Sequence, residues 1–170
     1  DFSGLLDNVK KFLADIEELA ETRRKETARI NGLIDAGAYT AALDPRKSLR
    51  APRRHDPVPH FNFSPLHNAL AKVERSALLL DAADLITLKA RQRKKINHLL
   101  YTSERLFLRD QGLPRRSWYR HQLYAPGFYT GYGVKTLPMI REAIEERRYG
   151  AVPEAVVGLS TVLNGLADRI

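Results

Sequence analysis

Phe2, Leu5, Leu6, Val9, Phe12, Leu13, Ile16 and Leu19 recur at intervals of three and four, which is one apolar stripe on a helix. The stripe fades through the charged run ETRRKETAR and resumes at Ile30, Leu33 and Ile34, with Gly37 placed to stop the helix in a left-handed conformation. The pattern predicts one long helix over residues 3–36, capped by Asp1 or Ser3. Ser64-Pro65 restarts a helix, Ser as N-cap and Pro at the first helical position, and its stripe is Leu66, Leu70, Val73, Ala77 and Leu80. A third segment follows through Leu88, Ile96, Leu99, Leu100, Ser103, Leu106 and Phe107. Leu137-Pro138 opens a short helix with Met139, Ile140, Ala143 and Ile144 inward. Val152-Pro153 opens the last, striped by Val152, Ala155, Val156, Leu159, Val162, Leu163, Leu166 and Ile170. No stretch alternates with a period of two for long enough to form a sheet. The expected fold is all-α, a four-helix-type bundle in a single domain over 1–170.

Two stretches escape this pattern. Residues 41–63 carry Pro45, Pro52, Pro57 and Pro59, too many fixed φ angles and missing donors for a helix, and read as a Pro-rich connector extended over the surface. Asn62-Phe63-Ser64 is a glycosylation sequon by pattern. The second stretch, residues 112–136, is a long loop between the third segment and the C-terminal helices. It holds the only Trp together with Tyr119, Tyr124, Tyr129 and Tyr132. Loops of this length in a helical chain are either functional or disordered, and the aromatic content argues for order.

Charge changes the picture in one respect. With 28 Lys+Arg against 20 Asp+Glu the chain carries +8, which favours anionic partners without specifying a fold. Lys89 to Lys95 (KARQRKK) is the densest basic run, and KSLRAPRRH in the connector is another. The charges of the first run are expected to point in several directions around their helix, so a solvated face is favoured over a nucleic-acid patch. No Cys is present, which excludes disulfides and thiolate metal sites. The most apolar run singled out, Ser76–Leu88, is interrupted by Asp81 and Asp84, and no membrane contact is expected of this segment. The chain starts in mid-pattern without an initiator Met, which suggests a fragment of a longer protein.

Catalytic constellations are absent from the sequence. There is no HExxH and no phosphate-cradling Gly loop, and His55, His60, His67, His98 and His121 fall at no metal-ligand spacing. No catalytic residue and no metal ligand is therefore assigned. In the loop, Trp118, Tyr119, Arg120, His121, Tyr124 and Pro126 fit an anchoring role, rings against the core and polar tips bonded to backbone. Gly127 to Gly133 is the more suggestive half: its glycines let backbone approach another surface, and its aromatics could line a pocket.

The order Leu113-Pro114, Tyr119-Arg120-His121, Tyr124-Ala125-Pro126, Leu137-Pro138 resembles the C-terminal helical domain of the glutamate carboxypeptidase II and transferrin receptor family, zinc peptidases and their inactive relatives. DFSGLLDNVKKF, SPLHNAL and the final stripe resemble that domain's first, second and last helices, and the Pro-rich connector resembles an insert of fungal members. The resemblance implies a domain that homodimerises and closes over a neighbouring zinc-peptidase domain of the parent chain. Zinc is then expected in that domain and not in this one. It implies the extracytoplasmic or vacuolar lumen side of a single-pass membrane protein. In the carboxypeptidase a Lys-Tyr pair grips the substrate's terminal glutamate; the Tyr falls on Tyr132 and the Lys on Gly131, so the charged half is missing unless Lys135 or a nearby Arg replaces it. The competing reading is a stand-alone basic helical protein that binds nucleic acid or another polyanion.

Overall fold

In a computed structural model of the chain, residues 2–41, 51–82, 88–129, 131 and 133–170 are described. Helix α1 (Ser3–Asp35) is the longest element and buries Leu6, Val9, Leu13 and Ile16 of the stripe read from the sequence, with Ala20 beside them. Phe2 occupies its N-cap position and its carbonyl accepts from Leu6 N (2.9 Å), so Ser3 stands at the first helical position and not at the N-cap; Asp1 lies outside the described residues. Gly37 follows the helix at φ 66°. A single turn, α2 (Ala38–Ala41), comes next.

The connector between 51 and 63 has no regular structure and is pinned along α1. Asn31 donates to His55 O (2.7 Å) and accepts from His55 N (3.2 Å), while Arg24 donates to Val58 O (3.4 Å) and Pro59 O (3.0 Å). Residues 42–50 lie outside the described part. Helix α3 (Ser64–Ala82) begins one residue earlier than expected, with Asn62 Oδ1 accepting from Ser64 N (3.0 Å). Its buried face is Leu66, Ala69, Leu70, Val73 and Ala77.

The largest interface is between α3 and α6 (Val152–Ala167); α1 and α5 (Pro138–Glu145) complete the core. The third sequence segment behaves differently. Helix α4 (Ala90–Ser103) touches mainly the 3₁₀ turn Glu104–Phe107 that follows it, and Ser103 is its one buried residue. The chain is thus mostly helical, but the expected bundle partner sits at the margin and the eight-residue α5 packs in its place. The all-α expectation also fails in the loop, where β1 (Tyr124–Pro126) pairs antiparallel with β2 (Val134–Thr136), Tyr124 opposite Thr136. The strands are three residues each, too short to show as alternation.

By length and composition the stretch Tyr149–Ala167 is apolar enough to cross a membrane, which the sequence reading of Ser76–Leu88 as the best candidate missed. Its apolarity serves the interior here: Val152, Val156, Leu159, Leu163 and Leu166 are buried against α3 and α5.

Candidate functional site

After the 3₁₀ turn the chain makes an out-and-back excursion. Leu108 bridges His121, Arg109 N donates to Arg120 O (2.9 Å), and Gln122 N to Phe107 O (2.9 Å). At its tip Leu113 N donates to Tyr119 O (2.7 Å), and Gly112 sits at φ 68° with Ser117 O 2.2 Å from where a Cβ would stand. No other residue type fits there. Strand β1 then leads into a second turn, closed by Gly127 N to Gly133 O (2.8 Å) and Gly131 N to Gly127 O (3.2 Å). Gly131 is exposed at φ 60° with open space around it.

A buried ion pair ties the two turns together. Arg116 and Glu142 side chains are 3% and 6% exposed and meet at 2.5 Å, Nη2 to Oε1. The same guanidinium donates to Pro126 O, and the same carboxylate oxygen accepts from Phe128 N (3.2 Å). The entrance of the 127–133 turn is therefore clamped to α5. Burial pushes the Glu142 carboxyl above the ordinary carboxylate range, opposed by Arg116 and by the Phe128 N–H. Outside it, Arg115 donates to both oxygens of Glu146 (2.6 and 2.5 Å) with its guanidinium 4.1 Å from the Phe128 ring centroid. Lys135 donates to both oxygens of Glu145 (2.8 and 3.0 Å).

The residues expected to anchor the loop divide on inspection. Trp118 is 72% exposed, so burial of its ring does not hold the loop; Tyr119 (37%) and Tyr124 (45%) are partly open as well. What fixes the loop is burial of Leu113, Arg116, Leu123 and Ala125. Arg120 stays outside, donating to Arg109 O (3.1 Å) and Asp110. His121 is half-buried, its ring stacked 4.0 Å from Tyr124 and 6.0 Å from Phe107. Its Nδ1 accepts from Leu123 N (3.2 Å), which leaves the proton on Nε2, a buried atom 3.9 Å from Glu104 Oε1 with no hydrogen-bond partner among the described residues. Burial pulls the His121 pKa below 6.5, with Glu104 opposing. Tyr124 donates to Glu104 (3.0 Å), and burial followed by that bond raises its phenol. Pro126 contributes its carbonyl to Arg116. Tyr132 lies outside the described residues.

Between the excursion and the second turn lies an open, largely apolar groove of about 560 Å³, lined among others by Leu108, Trp118, Tyr124, Pro126, Gly131 and Val134. That size suits a small ligand or a side chain of another protein surface. Among the described residues no three His, Asp or Glu cluster so as to hold a metal ion.

Residues 61–170, from the end of the connector to the last helix, match the transferrin receptor-like dimerisation domain family. The chain belongs to this family. Over 85 residues it is 36% identical to a "probable glutamate carboxypeptidase" of the fungus Arthroderma benhamiae, covering 50% of this chain and 11% of that protein. Over 55 residues it is 34% identical to a "probable glutamate carboxypeptidase" of Arabidopsis thaliana, covering 32% of this chain and 8% of that one. The aligned stretches span about a tenth of the length of these relatives. Within this dimerisation domain the Arg116–Glu142 clamp was missed by sequence reasoning. Periodicity gave no signal for it, because Glu142 faces away from the α5 stripe of Ile140, Ala143 and Ile144 and is covered by the loop instead.

Proposed function

We propose that this chain is the homodimerisation module of a zinc-peptidase-like protein, and that its 127–133 turn forms part of the wall of a substrate pocket completed by a peptidase domain. The observation that carries the reading is the family match over 61–170. The names of the relatives point the same way. In support of association, α3 carries Leu78 and Leu79 at 64% and 75% exposure and α6 carries Val157 at 58%. In support of a pocket role, Phe128, Tyr129, Gly131 and Gly133 are exposed, and the turn is glycine-flanked and clamped at its entrance. The four-helix-type bundle belongs to the same reading, with α4 finding its full packing in the assembled protein. Zinc and the hydrolytic chemistry belong to the peptidase domain.

The departure at Gly131 shapes what the turn does. Lys135 is bonded to both oxygens of Glu145 and Arg115 to both oxygens of Glu146, so neither is free to supply the charge a Lys at 131 would bring. We infer that a terminal carboxylate of the substrate is not gripped from this loop. Light scattering across a concentration range tests association: the chain is expected as a dimer, and a strict monomer up to high concentration removes the dimerisation role. For the pocket, Tyr132→Ala in the full-length protein is expected to impair peptide turnover with assembly intact; unchanged turnover sinks that half.

A further inference from the structure

Helix α4 breaks the charge balance of the chain. From Leu85 to Ser103 the sequence holds Lys89, Arg91, Arg93, Lys94 and Lys95 and no Asp or Glu, five of the eight excess positive charges. Lys89 and Arg93 point away from the others, as the spread of the run implies, but Arg91, Lys94 and Lys95 share one face with His98, at i, i+3, i+4 and i+7. All four are exposed, and Tyr101, one turn further along the same face, is 77% exposed. Arg91, Arg93, Lys94 and Lys95 make no ion pair with any described residue, while most other cations of α1, α3 and the loop do.

This arrangement opposes the helix it sits on. Like charges three and four residues apart repel, and cations in the first turns run against the helix dipole. Among the described residues no carboxylate pairs with these cations, and Ile96, Leu99 and Leu100 are only half-buried. A row of anions laid along the face would remove the repulsion. The footprint from Arg91 to Tyr101 is a ridge roughly 15 Å long and one helix wide, at 1.5 Å per residue.

We propose that the solvent face of α4 binds a linear, base-free polyanion of the sulfated-polysaccharide type. The shape and chemistry of the ridge select this class. A single-stranded nucleic acid is held in a groove with several stacking aromatics, whereas this surface is convex and offers Tyr101 alone. An anionic membrane is held by a helix that also inserts exposed apolar side chains, whereas Leu100 packs against the core and Ile96 and Leu99 are half-buried. What remains is a chain of closely spaced anions met by Arg91, Lys94, Lys95 and His98.

The test is calorimetric titration of a short heparin oligosaccharide into the 170-residue chain, with amide exchange followed in parallel. Binding is expected to weaken about 20-fold between about 50 and 200 mM salt, for the three cations Arg91, Lys94 and Lys95 at roughly 0.7 counterions released per contact. Exchange in α4 is expected to slow on binding while α3 and α6 stay unchanged. The triple variant Arg91→Gln, Lys94→Gln, Lys95→Gln is expected to lose at least tenfold in affinity. A control of equal charge, Lys11→Gln, Lys25→Gln, Arg169→Gln, is expected to lose less than threefold. Equal losses in the two variants, tighter binding of poly(U) or of phosphatidylserine vesicles, or no binding at the lower salt each overturn the proposal. Circular dichroism of the triple variant separates lost contacts from a lost helix, since Gln is nearly as good a helix former as Lys.

Discussion

Truncating Glu142 to Ala would leave the Arg116 guanidinium, 3% exposed, without its counter-charge and would orphan the Phe128 N–H. Removing one partner of a buried pair destabilises by about 3–5 kcal/mol, and the unsatisfied amide adds about 1 kcal/mol. Against a total stability of about 5–15 kcal/mol for a domain, this is a large fraction. Removing both partners is a different perturbation. Burial raises the Glu142 carboxyl in spite of Arg116 beside it, so desolvation outweighs the attraction. A well-packed apolar pair, Arg116→Met with Glu142→Leu, is therefore expected within about 2 kcal/mol of the parent chain. Urea unfolding by far-ultraviolet circular dichroism measures the helices. Fluorescence of the single Trp, Trp118, measures the loop. The Ala variant is expected to lose the loop transition first, and the double variant to restore coincident transitions. A Glu142→Ala loss below about 1 kcal/mol, or a double variant worse than the single one, refutes the clamp as the element that holds the loop.

Three further outcomes follow from the loop. His121 is kept neutral by burial, so its folded pKa lies below 6.5 and the unfolded chain binds the proton more readily between those two values. Stability should rise with pH through that window and be flat above it, and His121→Phe should remove the slope in urea midpoints; a slope that persists assigns the titration elsewhere. Gly112→Ala places a Cβ 2.2 Å from Ser117 O at φ 68°, and should lower the melting temperature by several degrees, corresponding to roughly 1–3 kcal/mol. Gly131→Lys has the same sign of φ but open space, so it should cost only about 1–2 kcal/mol of local backbone strain and leave the helical melt nearly unchanged. A large loss there would show that the turn is packed more tightly than its exposure indicates.

The helical segments of this dimerisation domain were legible because each carries a stripe whose period is set by the helix itself. Leu66, Leu70, Val73 and Ala77, or Val152, Val156, Leu159 and Leu163, fall on the buried face without reference to anything distant. The same logic misplaced α4, whose apolar residues show the period but find little to cover them. It read the stripe of α6 but passed over that helix as the most apolar stretch of the chain. The motif residues Leu113-Pro114, Tyr119 to His121 and Tyr124 to Pro126 pointed to the family now shown for residues 61–170.

The candidate site was legible as a place and not as a mechanism. Local sequence determined the helix periods, the glycine at a position where only glycine fits, the proline-led helix starts and the local excess of positive charge. Tertiary structure alone decided that Trp118 stands in solvent while the charged Arg116 is buried, because Arg116 meets Glu142 twenty-six residues away and exposure depends on that meeting. It also decided that Lys135 is neutralised by Glu145 and Arg115 by Glu146, while the cations of α4 pair with no described residue. A charge carries no record in sequence of which distant partner will desolvate it, and that pairing separates a clamp from a free surface.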